Sequence, residues 1–81
     1  MTVTVRLFAA LRDAADVEEC RVELPARSCG LDAKTILAER YPRLQGLLSS
    51  TRLALNLEYQ PWDARLHEGD ELSFIPPVSG G

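Results

Sequence analysis

Residues 71–81 read ELSFIPPVSGG, and the fold turns on how the first half of this stretch is read. Leu72 and Phe74 alternate with Ser73 and Ile75, the period of a strand with one buried face. Pro76 and Pro77 end that strand because neither can donate to a ladder. A matching alternation lies at the other end of the sequence. TVTVRLF (2–8) puts Val3, Val5 and Leu7 on one face and Thr4 and Arg6 on the other. The connections between these two strands are long enough for them to lie side by side as parallel neighbours.

The elements between them are read from the same kind of pattern. AALRDAAD (9–16) is rich in helix-forming alanine and fits a helix of about two turns. EECRVEL (18–24) alternates, with Cys20, Val22 and Leu24 inward, until Pro25 stops it. It is expected to pair antiparallel with the first strand. ARSCG (26–30) reads as a loop, and Asp32 is the expected N-cap of the helix AKTILAERY (33–41), which ends near Tyr41 ahead of Pro42. Leu44, Leu47 and Leu48 have helical spacing, but Gly46 and the serines weaken it, so a short turn of helix is expected there. RLALNL (52–57) reads as a strand with Leu53, Leu55 and Leu57 on one face. EYQPWD (58–63) holds a turn or a short extra strand, and HEGDE (67–71) is a turn with Gly69 supplying the permissive backbone. The expected class is α+β. The element order gives a ubiquitin-like β-grasp: a mixed sheet of four to five strands, one main helix on one face, and short extra helices. Residues 1–75 form the domain and residues 76–81 a flexible tail.

Composition limits what such a domain can do. The chain has 81 residues, 46% hydrophobic and 26% charged, ordinary values for one small globular domain. At this size there is little room for a deep cleft, which disfavours a self-sufficient enzyme. The basic residues are scattered and the net charge is −3, so nucleic-acid binding is not expected. The opening MTVTVRLF lacks the pattern of a signal peptide, and no apolar run approaches the roughly 20 residues of a membrane span. Two cysteines are too few for a secreted disulfide scaffold. A cytoplasmic protein with reduced thiols, with no membrane partner, is the expectation.

The catalytic inventory is thin. His67, the single histidine, sits in a polar turn, where an exposed side chain is a better reading than a general base. The group His67, Glu68, Asp70 and Glu71 lacks the spacing of a metal site. Cys20 faces inward and reads as packing, while Cys29 lies in a loop. The tail stands apart. Pro76 and Pro77 favour extended geometry and project it from the sheet. Val78 and Ser79 are a small spacer, and Gly80 and Gly81 lack the Cβ that would block a narrow channel. Its chemical payload is the α-carboxylate of Gly81. Adenylation converts a poor electrophile into an acyl-adenylate, and a sulfur nucleophile can then displace AMP to leave a thiocarboxylate.

Three stretches resemble a known family. VRLFAALRD (5–13), LALNLEYQ (53–60) and LHEGDELSFIPPVSGG (66–81) are similar to the opening strand and turn, a central strand, and the G-D-E turn with Pro-Pro and Gly-Gly of the small subunit of molybdopterin synthase, the MoaD family of β-grasp sulfur carriers. Residues 25–50 match only in element order. The turn after LRD often holds a glycine in that family and here reads Ala14, Ala15, Asp16. ELPARSCGLD (23–32) is longer than the usual entry to the helix.

The resemblance implies a non-catalytic, sulfur-donating subunit of a two-protein enzyme, with no cofactor bound by this chain. A MoeB-like adenylating enzyme, similar to ubiquitin-activating enzymes, would use ATP to activate Gly81, and a sulfur donor protein would supply the thiocarboxylate. The tail would then insert into a MoaE-like large subunit and give sulfur to cyclic pyranopterin monophosphate, building the dithiolene of molybdopterin within a heterotetramer. Position by position, Phe8, Arg12, Tyr59, Phe74 and Ile75 would face partners, although Phe8 equally fits a core role. The alternatives are a related carrier for thiamine synthesis, tRNA thiolation or amino-acid synthesis, and a ubiquitin-like modifier that joins Gly81 to lysines. PPVSGG favours the molybdopterin branch.

Overall fold

The structure is a computed structural model and describes residues 1–77. Strand β1 (Thr2–Leu7) is followed by helix α1 (Ala9–Ala15), β2 (Glu19–Glu23) and the main helix α2 (Gly30–Arg40). A 3-10 turn (Pro42–Leu44) runs into α3 (Gln45–Leu48), and β3 (Arg52–Leu55), β4 (Glu58–Gln60) and β5 (Glu71–Ile75) complete the order. The five strands form one mixed sheet in the order β2-β1-β5-β3-β4. β1 and β5 pair in parallel, as their two alternating patterns suggest, and β1 and β2 pair antiparallel. The fold is a ubiquitin-like β-grasp.

The register sorts side chains onto two faces. Val5 lies opposite Cys20 on one side and Leu72 on the other, and Leu72 lies opposite Leu55. Leu7, Phe74 and Leu53 form the next inward row. Helices cover this face with Leu11, Ala33, Leu37, Leu44 and Leu48, and Leu66 closes it from a loop. Burying a side chain of this size contributes about 1.5–3 kcal/mol, so this single layer supplies most of the driving force.

Several local details depart from the sequence reading. Asp32 does not cap α2. Cys29 is the N-cap, and the Asp32 carboxylate, at the third helical position, accepts the Cys29 N–H at 2.8 Å, as in a capping box. The next two N–H groups are also taken, Gly30 by the Ala64 carbonyl at 3.1 Å and Leu31 by the Trp62 carbonyl at 2.9 Å. The helix therefore starts where the 62–64 segment can satisfy its free donors. At the end of α1, where the family often has glycine, Asp16 takes the left-handed conformation (φ 61°) and its N–H bonds the Arg12 carbonyl at 2.8 Å. Aspartate tolerates this region better than most residues.

Strand β3 is shorter than its alternation implies. Asn56 and Leu57 both have positive φ, 49° and 72°, and form a two-residue hairpin turn in which Leu55 lies opposite Glu58. Leu57 therefore leaves the inward row and is 87% exposed. Ala54, on the opposite face of the strand from Leu53, is buried beside Ser73 and Tyr59. Cys20 is half-buried, on edge strand β2. Burial pushes its thiol up from the ordinary cysteine range, and the Arg40 charge with hydrogen bonds from Tyr41 and Arg40 offsets this only in part. Among the described residues no helix is long and apolar enough to cross a membrane.

Two predictions follow from this packing. A Cβ at Gly30 would sit 2.7 Å from a Leu53 methyl and 2.8 Å from the Trp62 carbonyl oxygen. Since backbone cannot yield cheaply, Gly30→Ala should destabilise by about 1–3 kcal/mol, read as a lowered urea midpoint at constant slope. Cys20 should react with iodoacetamide more slowly in the folded chain than in urea, by peptide mapping at pH 8. The protonated thiol suits the fold, so its stabilising share is present at neutral pH and is lost as pH rises through the ordinary thiol range and past it.

Candidate functional site

β5 is bonded on both sides, and the tail leaves from its end. Ile75 and Pro76 are half-buried and Pro77 is exposed. A proline pair has fixed φ, so the exit direction is set by the sheet. Val78, Ser79, Gly80 and Gly81, which carry the expected spacer and the reacting carboxylate, lie outside the described residues.

The sheet face away from the helices surrounds this exit. Phe8 follows β1 with extended backbone (φ −122°, ψ 152°), so it continues the alternation of Arg6. Leu7 pairs with Phe74, and one step further in this parallel register Phe8 comes level with Ile75. Phe8 is 42% exposed, which decides between the two readings of this residue in favour of a surface role. Arg12, one turn into α1, joins Arg6, Leu7, Phe8 and Glu18 around a depression of about 220 Å³. Its guanidinium makes only a loose, exposed pair with Asp13 at 3.9 Å, so it can pair with an incoming group at little cost.

On the other side of the exit, Tyr59 is 59% exposed on β4. Arg52, the register partner of Ile75, places its guanidinium 4.8 Å from the Tyr59 ring centroid. Together with Thr51, Leu53, Gln60, Pro61 and Trp62 they line a surface groove of about 390 Å³. At this distance the guanidinium and the ring attract each other as a cation–π pair. Arg52 went unread in the sequence because an arginine opening a strand carries no signal by itself. Its role comes from pairing with Ile75 across a strand that is distant in sequence.

Phe74 needs correction. It is fully buried, on the helix-covered face, with its ring edge-on to Trp62 at a centroid distance of 5.0 Å. It cannot meet a partner alongside Ile75, because adjacent residues of a strand face opposite ways. The parity that put Phe74 with Leu72 already contained this answer.

The remaining candidates take no part. His67 is exposed in its turn, where its backbone N–H donates to the Asp70 carboxylate at 2.7 Å. No group of three metal-ligating side chains comes together among the described residues. Cys29 serves as the cap of α2, and Cys20, harder to ionise than an ordinary thiol, is a poor nucleophile. The site is an apolar and cationic surface around the root of a tail. It can bind and aim, and the described side chains supply no nucleophile with a base beside it.

Known proteins resemble this chain over nearly all of its length. The ThiS family matches residues 5–81. A protein of Mycobacterium tuberculosis named molybdopterin synthase sulfur carrier subunit is 37% identical over 82 residues, covering 98% of this chain and 96% of that one. Its namesake in Arabidopsis thaliana is 35% identical, covering 98% of this chain and 82% of the relative. Among solved structures, the small archaeal modifier protein SAMP1 from Haloferax volcanii has a TM-score of 0.92 at 27% identity, covering all of both chains. A chain from the complex of subunits 1 and 2 of molybdopterin-converting factor from Helicobacter pylori has a TM-score of 0.74, also at 27% identity and full coverage. With its sheet order, its Pro-Pro exit and a family match that runs to the last glycine, this chain belongs to the ThiS family.

Proposed function

We propose that this chain is the sulfur carrier subunit of a molybdopterin synthase. One observation carries the reading: identity of 35–37% over nearly the whole chain to relatives of that name, with the family match spanning the PPVSGG segment at 76–81. The working group is the α-carboxylate of Gly81. An adenylating enzyme joins it to ATP, releasing pyrophosphate and forming the acyl-adenylate. The terminal sulfur of a persulfide on a sulfur donor protein then attacks the acyl carbon and AMP leaves. A second thiol attacks the donor-side sulfur of the resulting acyl disulfide, forming a disulfide with the donor and releasing the Gly81 thiocarboxylate. That anion forms a C–S bond with the pterin precursor in the second subunit, displacing an oxygen substituent of its side chain. Water then cleaves the resulting thioester, returning the Gly81 carboxylate and leaving the sulfur on the pterin as a thiol. ATP is used by the activating enzyme, and no cofactor is needed on this chain.

The surface described above supports each handover. A six-residue segment such as Pro76–Gly81 reaches at most about 20 Å when fully extended, so the body must dock close to any active site that it serves. Phe8, Ile75 and Tyr59 offer apolar contact around the exit, and Arg12 and Arg52 offer charge. The second subunit is the expected acceptor, since the Helicobacter pylori relative is a subunit 1–subunit 2 complex. In this reading the carrier works in the cytoplasm.

The likeness to a small archaeal modifier protein favours a second reading, in which Gly81 is joined to lysines of other proteins. Lys34, the single lysine of this chain, has its ammonium 4.6 Å from the Trp62 ring centroid. Chain building through it would have to give up this contact, worth about 0.5–1 kcal/mol at an exposed site.

Deleting Gly81 should leave the thermal unfolding curve unchanged and abolish sulfur transfer to the precursor pterin in the reconstituted synthase. Retained transfer would sink the carrier reading. Intact-mass measurement of protein from cells with an active sulfur pathway should show one oxygen replaced by sulfur. Isopeptide adducts on other proteins without that thiocarboxylate would favour the modifier. Tyr59→Ala should weaken binding to the second subunit by about tenfold, by titration calorimetry, with the fold unchanged.

A further inference from the structure

Leu57 combines two features that rarely meet in one residue. It is the second residue of the β3–β4 turn, with φ at 72°, where glycine is the favoured choice. It is also 87% exposed, more than Phe8, Leu31 or Tyr59. A lone wet leucine is ordinary on a protein surface. A leucine that is both wet and held in a strained backbone gains nothing for the fold from its side chain.

The turn that carries it is firmly mounted. The Asn56 N–H donates to the Glu71 carbonyl at 2.8 Å, and the Glu71 N–H donates to the Asn56 side-chain oxygen at 3.0 Å. The Asn56 amide also donates to the Asp70 carboxylate at 3.1 Å. The leucine therefore projects from a base tied to the central strand. An apolar side chain carried on a pre-ordered backbone costs a partner only its rotamer freedom to bury, with no loop to order, which favours its use as an interface anchor.

Its surroundings point to the occupant. Tyr59 lies two residues on, exposed on the same hairpin, and beyond it Arg52 pairs with Ile75 at the tail exit. An interrupted apolar strip therefore runs from the hairpin tip to the root of the tail. The tip itself is acidic, with exposed Glu58 beside Leu57 and Glu71 bonded to its turn. Arg6 partly neutralises Glu71, at 3.7 Å.

We propose that Leu57 is a docking anchor that seats in an apolar socket rimmed by lysine or arginine on the second subunit, the partner that receives the tail. Since β5 spans Glu71–Ile75, that socket lies about 15 Å from the entry point of the tail. This rests on the carrier reading.

Leu57→Gly separates the anchor from any structural role, because glycine suits the turn and removes the side chain. The variant should keep or raise its Tm while its affinity for the cognate second subunit, by titration calorimetry, falls about tenfold. Leu57→Asn, also compatible with positive φ, should lose affinity to the same degree. Wild-type affinity in both variants overturns the anchor, as does a fall in Tm that accompanies the loss. An effect confined to binding of the adenylating enzyme overturns it too. Failure of the wild-type chain to bind the second subunit brings down the carrier reading and the anchor together.

Discussion

The parallel pairing of β1 with β5 is the constraint on which the rest depends. Parallel neighbours cannot be joined by a tight turn, so the chain between them must cross over, and the helices and strands from Ala9 to Gln60 provide that crossover. The pairing also puts β5 in the middle of the sheet, bonded to β1 and β3. A central strand is the least able to slip or fray, and this one ends where the tail begins. A slip of one residue would turn Phe74 out to solvent and bring Ile75 into the core. The aim of the tail and the integrity of the core are thus set by the same ladder.

The helices occupy one face only, and this asymmetry determines where partners can bind. The open face is closed over its centre by small residues, Ser73 and Ala54, which are buried although nothing packs above them as a layer. Larger side chains, Arg6, Phe8, Arg52, Tyr59 and Ile75, stand around them. The result is a shallow, mixed apolar and cationic surface with the Pro-Pro exit at its border. A domain of this size has no interior to spare for a catalytic cleft. In the carrier reading proposed above, the chemistry resides in a main-chain carboxyl group, and the acid-base work falls to whichever protein holds that group.

Much of this was legible in the sequence because strand parity and element order are local properties. The alternations at 2–7 and 71–75 gave the two central strands, and Pro42 gave the end of α2. What escaped depended on tertiary partners. Asp32 was misread as a cap because the real start of α2 is satisfied by the carbonyls of Trp62 and Ala64, more than thirty residues away. Leu57 joins Leu53 and Leu55 on one strand face by alternation, but leucine at a left-handed turn position contradicts the usual turn chemistry, and alternation alone does not reveal the bend. Arg52 acquires meaning only beside Tyr59 and Ile75. The placement of Phe74 follows from strand parity, which sets it with Leu72 and opposite to Ile75.

Trp62 joins several of these parts. Its indole N–H donates to the Thr51 carbonyl at 3.2 Å, and its ring meets Phe74 edge-on and lies under the Lys34 ammonium. Its carbonyl holds the start of α2. It is also the only tryptophan. The indole emission of the intact protein therefore originates at the joint between the central strand, the main helix and the groove beside the tail exit. Light absorbed there gives an optical signal, free of any label, from the part of the molecule that a docking partner must approach.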